Sequence, residues 1–419
     1  MSTYTGALGI VALPAIAYVL SLDRRRVRWR PVIGGLLLQL LFALLVLRTS
    51  VGRGVFEILG HIVTGVIDCT DQGSNFLFGR LGVGDEKLFA FSVLPVIIFF
   101  ASLMSVLYYL GIIQLVVRAM ARVMTAAMGV SGAESLSVAA NVFVGQTEAP
   151  LVVRPYISGM TQSELLALMT GGFATVAGSV LGIYIKMVGV QYATHFLAAS
   201  VMSAPAAFVM AKIMLPETAE PLTAGSVKVH YERKSVNVID AATSGAGDGL
   251  KLALNVGAML LAFIALLALI DWPLRLISNH WELEQHLGGQ TLSIRVILGY
   301  LFWPIAWVLG VPTQDCGVVG GLLGTKIAAT EMVAYLSLHE AIAAGRLSPK
   351  SIVICTYALC GFANFASIAI QIGGIGPLAP DRKHDLARLG LRAMIGGALA
   401  SFMTAAIAGL LVAPDPGAS

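Results

Sequence analysis

The sequence predicts an all-α polytopic membrane protein with eight transmembrane helices, two re-entrant helical hairpins and an inverted internal repeat. Three observations predict it. Of the 419 residues, 57% are hydrophobic and only 12% charged, whereas soluble domains carry about a quarter charged residues. Uncharged runs long enough for the roughly 20 residues that a helix needs to cross the hydrocarbon recur along the chain. Finally, two polar motifs interrupt apolar segments at matching places in the two halves, Gly145-Gln146-Thr147-Glu148-Ala149-Pro150 and Gly324-Thr325-Lys326-Ile327-Ala328-Ala329-Thr330-Glu331. Each follows a Gly-Val step, Gly129-Val130 or Gly310-Val311, with 18 residues from Val130 to Glu148 and 20 from Val311 to Glu331. Each precedes the same tripeptide, Gly172-Phe173-Ala174 or Gly361-Phe362-Ala363.

In chain order, residues 1–22 lack charge and a basic leader, which fits a retained first span rather than a cleaved signal. Five arginines between residues 23 and 30 put the next loop in the cytoplasm and the N-terminus outside, and residues 31–47 return outward. Residues 48–87 mix Arg53, Glu57, Asp68, Asp71, Arg80, Asp85 and Glu86 with apolar side chains, the pattern of an amphipathic helix at the outer interface. Residues 88–117 are uncharged and run inward; Arg118 and Arg122 follow in an amphipathic piece that ends at Gly129.

Residues 131–157 are too short and too polar for an ordinary span. They fit a re-entrant hairpin, with Pro150 starting or breaking its second arm. Residues 165–185 and 187–211 make two spans, and the loop 214–248, with Lys228, Arg233 and Lys234, lies inside. Residues 252–270 run outward. Residues 271–295, with Trp272, Arg275, His280, Trp281, Glu282 and Glu284, suit an outer interfacial helix, and 296–311 a further interfacial segment. The second hairpin covers roughly 315–337 and enters from outside. Residues 351–378 then span inward, Asp381-Arg382-Lys383-His384-Asp385 sit inside, and residues 393–413 span outward. Both termini are then outside, and the hairpins enter from opposite faces.

A carboxylate at membrane depth costs about 2.5–3.5 kcal/mol even on the lenient insertion scale, so Glu148 and Glu331 need partners. Inverted repeats with broken helices and a midplane site mark secondary transporters. Two acidic acceptors, the amides of Gln146 and Asn364, the hydroxyls of Thr147 and Ser367, and only Arg154 and Lys326 as nearby cations do not suit a phosphate or carboxylate ligand. They suit a neutral molecule rich in hydroxyl and amide groups: a diol gripped by Glu331 beside a flat base edge read by Gln146 and Thr147. The phosphate-loop, HExxH and GxSxG patterns are absent, and the cysteines (Cys69, Cys316, Cys355, Cys360) lack metal-ligand spacing, so the expected chain is no enzyme and carries no cofactor. The formal charge of +4 carries no nucleic-acid signal. Transport then draws on an ion gradient, worth about 2.3 kcal/mol per charge per 100 mV. Asn141, Thr175 and backbone carbonyls around Val144 and Val176 suit sodium; the alternative is a proton, for which Glu148 is the available titratable group.

At these residues the chain resembles the concentrative nucleoside transporter family, in its bacterial, sodium-coupled form. The resemblance runs from about residue 30 to 412 and is most specific in Asn141-Val142-Phe143-Val144-Gly145-Gln146-Thr147-Glu148-Ala149-Pro150, in Thr325-Lys326-Ile327-Ala328-Ala329-Thr330-Glu331 and in Gly361-Phe362-Ala363-Asn364-Phe365-Ala366-Ser367. It implies a homotrimer in the inner membrane that imports nucleosides such as uridine with sodium, by elevator motion of a transport domain against a scaffold. It implies that Gln146, Thr147 and Glu148 face the nucleobase, with Val180 and Phe362 packed near it. By the same resemblance Glu331, Asn364 and Ser367 bind the ribose, and Asn141, Val144, Thr175 and Val176 form the sodium site, with threonine at 175 where relatives carry serine. The organisation expected is a mainly scaffold part over 1–117 and a first transport repeat over 118–213. A loop, a scaffold span and an outer interfacial helix follow over 214–295, then a second transport repeat with the last span over 296–419.

Overall fold

The computed structural model describes residues 2–82, 88–223, 235–282, 285 and 291–412, and among these it is helical with no strand. Helices α1 (Ser2–Val19) and α2 (Trp29–Arg48) flank the arginine loop, and α3 (Ser50–Phe78) follows, its first turn capped by Thr49 Oγ1. Expected as interfacial, the stretch 50–81 is one of seven described helical segments long and apolar enough to cross a membrane. Of the eight expected spans, 1–22 and 351–378 appear as shorter apolar helices.

A short α4 (Phe89–Ser92) leads into α5 (Leu94–Tyr109), and α6 (Ile112–Met128) follows. The expected single span 88–117 is therefore broken. Gly111 takes a left-handed φ of 81°, which a residue with Cβ rarely adopts, and turns the chain. The hairpin region holds α7 (Gly132–Asn141), an irregular stretch over 142–148, a 3₁₀ segment Ala149–Val153 and α8 (Arg154–Ile157).

The expected span 165–185 is two helices, α9 (Gln162–Ala174) and α10 (Gly178–Val188), parted at 175–177; α11 (Ala193–Met214) follows. A further correction concerns α12 (Val238–His280), one helix of 43 residues. It absorbs the end of the expected loop, the span 252–270 and most of the interfacial segment, so Trp272, Arg275 and His280 ride on its last turns. Asp85, Glu86, Lys228, Arg233, Lys234 and Glu284 lie outside the described residues.

Helix α13 (Ile294–Val308) packs along α14 (Cys316–Ala328), and α15 (Glu331–Ala343) carries the second hairpin beyond its expected end. The expected span 351–378 is again broken, into α16 (Pro349–Ala358) and α17 (Phe365–Ile375), before α18 (Lys383–Leu411) closes the chain.

The order helix, Gly-Val, hairpin, broken helix, long helix thus occurs twice, from α6 to α11 and from α13 to α18. Gly129 and Gly310 both stand in left-handed conformation at the corresponding helix ends, with φ of 68° and 91°. In α11, 89% of the apolar stretch is buried and in α18 83%, against 11% in α12, which lies along α5 and leaves the rest of its surface uncovered. The repeated elements therefore form the interior, with α12 and α3 outside it.

Each hairpin is fastened at its base by the helix-capping residues. Ser131 and Thr161 make capping boxes with Glu134 and Glu164 at the starts of α7 and α9. Lys212 of α11 lies 2.7 Å from Glu134 and 3.5 Å from Glu217, and Ser131 Oγ donates to Glu164 at 2.5 Å. At the second hairpin Asp315 Oδ2 accepts from the amide of Ser348 (3.0 Å) and from the hydroxyls of Ser348 (2.7 Å) and Ser351 (2.6 Å), which ties α14 to α16.

Candidate functional site

Both broken helices and both hairpin tips converge in the interior. The two Gly-Phe-Ala tripeptides lie against each other: a Cβ on Gly361 would stand 2.7 Å from the carbonyl of Phe173 and 3.0 Å from that of Ala174, so only glycine permits the approach. The Phe362 amide donates to the Thr175 carbonyl at 3.3 Å across the same crossing. A repeated tripeptide thus marks the place where two interrupted helices touch.

The second tip is built around Glu331, the first residue of α15, capped by Thr330. Glu331 is buried. Its Oε1 accepts from the Tyr184 hydroxyl at 2.9 Å and its Oε2 from Asn364 Nδ2 at 2.9 Å. Asn364 caps α17, its Oδ1 accepting from the Ser367 amide at 2.9 Å, so the side chain that holds Glu331 is itself fixed by the helix it starts. Val180 precedes Tyr184 by one turn on the same face of α10. Lys326 is fully buried but spends its ammonium on the Ala358 carbonyl and the Ser401 hydroxyl, both at 2.8 Å, with the Phe402 ring 5.5 Å away. Among the described residues it forms no ion pair with Glu331.

The first tip is more open. Gln146 is buried, Thr147 partly covered and Glu148 exposed, with Glu148 Oε2 accepting from the Gly145 amide at 2.7 Å. Gln146 and Thr147 rest on α17. Gln371 Nε2 donates to Gln146 Oε1 at 3.0 Å, and a Cβ on Gly374 would meet the Thr147 methyl at 2.5 Å. Asn364, Ser367 and Gln371 stand at i, i+3 and i+7, one face of α17, so a single stripe about 10 Å long reaches from Glu331 to Gln146. Glu148 and Arg154 also line a cavity of about 530 Å³ bounded by α5, the start of α6 and α12, with Phe143, Val144 and Ser179 on its wall. Arg154 thus lies beside this cavity and away from the Glu331 cluster.

Of the expected cation residues, Thr175 and Val176 lie in the break between α9 and α10, while Asn141 ends α7 and Val144 follows in the irregular stretch that meets α10 where the Gly178 amide donates to the Phe143 carbonyl at 3.0 Å. Both amide atoms of Asn141 are buried and, among the described residues, without a hydrogen-bond partner. Leaving such groups unpaired costs about 1–3 kcal/mol. Thr175 Oγ1 donates to the Gly171 carbonyl at 3.0 Å and keeps its lone pairs; among the described residues neither the Val144 nor the Val176 carbonyl accepts a backbone amide. Neutral oxygens from unwound backbone, one amide and one hydroxyl, are a donor set that fits a sodium ion.

Sequence models of known families identify this arrangement. The description Na+ dependent nucleoside transporter matches residues 8–81 with its N-terminal part and residues 195–409 with its C-terminal part, and a nucleoside recognition module matches residues 90–191. The chain belongs to the Na+ dependent nucleoside transporter family. It is a membrane transporter, not an enzyme. An uncharacterized transporter of Haemophilus influenzae is 46% identical over 98% of both chains. Solute carrier family 28 member 3 of Rattus norvegicus is 43% identical over 96% of this chain, and the chain spans 58% of that longer protein. Among solved structures, CNTnw in an inward-facing substrate-bound state matches with a TM-score of 0.89 at 43% identity over 98% of both chains. A variant of CNTnw in an outward-facing state matches with 0.91 over the same share.

Two polar residues of the site escaped the sequence reading. Tyr184 sits in an apolar run where its hydroxyl is easily overlooked, and Gln371 lies beyond the recognised motifs. The signal for Gln371 was the polar stripe at i, i+3 and i+7.

Proposed function

We propose that this protein is a secondary active symporter that imports nucleosides such as uridine on the sodium gradient. The observation that carries this reading is the state of Glu331. A carboxylate has about four lone-pair sites, and Tyr184 and Asn364 take two of them, one on each oxygen. Each oxygen keeps acceptor capacity beyond these bonds, and a ribose diol offers two hydroxyls to use it. In this reading Asn364 and Ser367 complete the ribose half. Gln146, Thr147 and Glu148 meet the base, with Val180 and Phe362 packed against it, and sodium is held by Asn141, Val144, Thr175 and Val176. The orphaned amide of Asn141 supports sodium over the proton alternative, since a proton site needs a titratable group and Asn141 has none.

Alternating access by elevator motion, with the two repeats carried past the N-terminal helices and α12, accords with the buried interior of α11 and α18 against the uncovered α12. The apolar side chains exposed on α12, Leu254, Leu261 and Leu269 among them, offer a face for lipid or for neighbouring subunits of a homotrimer in the bacterial inner membrane. In this reading the arginine loop lies in the cytoplasm by the positive-inside rule, with both termini outside.

The test is equilibrium uridine binding titrated with sodium, in the natural protein and in Asn141→Leu. Coupling between two ligands is reciprocal. Sodium should tighten uridine binding in the natural protein, and the half-saturating sodium should rise by about tenfold or more in the variant, the loss of one good ligand. Uridine binding indifferent to sodium and sensitive to pH would instead favour the proton.

A further inference from the structure

We propose that one face of α10 is a slide with a latch: two glycines give it seats along α5, and Lys186 clasps Asp71 and the head of α5 to hold one position. The inference rests on the reading that the repeats move past the N-terminal helices and α12.

Gly178, Gly182 and Lys186 stand at i, i+4 and i+8 on α10, which puts all three on one face. That face meets α5 in antiparallel steps. A Cβ on Gly178 would lie 3.0 Å from Met104 Cε, and one on Gly182 would lie 2.7 Å from the Phe100 ring. Met104 and Phe100 are themselves one turn apart on α5. Each side chain of α5 therefore rests on a glycine. A shift of α10 by one turn, about 5.4 Å, would bring Gly178 opposite Phe100, a second seat of the same shape. The other side of α5 is built differently. There Gly245 and Gly249 of α12 press on backbone, with Cβ positions 2.8 Å from the Ala101 carbonyl and 2.8 Å from Ile98 Cα, and Ser102 Oγ donates to the Ala242 carbonyl at 2.9 Å. Helix α5 is thus fixed on α12 and offers α10 a track.

The polar grip comes at the end of the same face. Lys186 Nζ forms an ion pair with Asp71 of α3 and donates to the Ser92 carbonyl, 2.9 Å away, where α4 leads into α5. Both side chains of the pair are partly covered, which shields it from salt. One ammonium thereby ties α10 to α3 and to the head of α5, and travel of α10 along α5 pulls it off both. Tyr184 lies two residues earlier and donates to Glu331. Residues two apart on a helix do not share a face, so the latch can open with the Glu331 cluster intact. Lys186 then weights the positions of the slide without touching the ligand.

Spin labels on the full-length protein in nanodiscs test this, at Ile239→Cys on α12 and Ala387→Cys on α18, both exposed, with Cys69→Ser removing the exposed natural thiol. Distance distributions with and without sodium and uridine should show two populations, one at the separation of this structure. In Lys186→Met, and independently in Asp71→Asn, that population should fall about threefold against the other, the scale of one partly covered ion pair. Lys186→Arg should restore it. Uridine affinity in saturating sodium should stay within about twofold by calorimetry. An unchanged ratio in both variants would overturn the latch, and so would a tenfold loss of affinity, which would make Lys186 a support of the binding site. Gly182→Ala sets a methyl against Phe100 and should slow uridine uptake in proteoliposomes about tenfold with binding held; an unaltered rate would overturn the slide. A single population in every protein and condition would instead overturn the reading of moving repeats, and the proposal with it.

Discussion

The two hairpins share a plan and differ in how each end is held. The first is ionic at its base, where Lys212 sits between Glu134 and Glu217, and open at its tip, where Glu148 is exposed. The second is held at its base by one aspartate and two serine hydroxyls, and its tip is closed around Glu331. A carboxylate with both oxygens already engaged is preorganised, and little freedom remains to be lost on binding. An exposed carboxylate on irregular backbone can adapt. The contrast teaches a division of labour: the closed tip suits the constant part of a nucleoside, and the open tip suits the part that varies.

The largest effect should come from the base of the first hairpin. Lys212→Met leaves buried carboxylates without their cation, and breaking a buried pair in this way costs about 3–5 kcal/mol. Thermal unfolding in detergent should show the drop. A melting temperature within a degree of the natural protein would mean that the base is not what anchors this hairpin. At the closed tip, Glu331→Gln replaces a pure acceptor by a mixed donor and acceptor. A loss of about 3 kcal/mol, on the order of a hundredfold in uridine affinity, is expected by calorimetry, the value of hydrogen bonds to a charged group. Affinity that survives would remove Glu331 from the ribose. The comparison sharpens further at Tyr184→Phe, which takes one donor from Glu331 and should weaken uridine by about 1 kcal/mol without changing preference among bases. Glu148→Gln, at the open tip, should have the smallest effect on ribose recognition. The penalty for 2′-deoxyuridine should match that of the natural protein within about twofold, while affinities for different bases change by up to about 1 kcal/mol. A changed deoxyribose penalty would mean that the two tips are not separate readers.

Much of this arrangement was legible in the chain. The Thr-Glu pairs, the Gly-Val steps and the repeated Gly-Phe-Ala marked the hairpins, their entrances and the helix crossing, because each needs residue types that an apolar span does not. Less visible were the breaks between α9 and α10 and between α16 and α17. Thr175, Val176 and Ala177 carry no charge and no proline, so hydropathy runs through them; the helix stops there because neighbouring carbonyls and glycines meet, which is a tertiary cause. Gly111 ended a span in the same silent way, by backbone conformation alone. The opposite error arose at α12, where the span was ended at residue 270 and the stretch with Arg275 was read as a separate interfacial helix. Charged residues mark the edge of the hydrocarbon, and an α-helix can continue past that edge without a break. Tyr184 and Gln371 were missed because motif and hydropathy weigh residues one at a time, whereas their roles come from which face of a helix they share.

Accumulation of labelled uridine in proteoliposomes holding the purified full-length protein tests the central claim most directly, that one site built from both hairpins couples a nucleoside to sodium. With an inward sodium gradient, uridine should rise inside above its outside concentration and fall back when the gradient is dissipated. Glu331→Gln and Asn141→Leu should each abolish the rise, the first through the nucleoside and the second through the ion. Uptake that only equilibrates, or that concentrates uridine on a pH gradient without sodium, would contradict it.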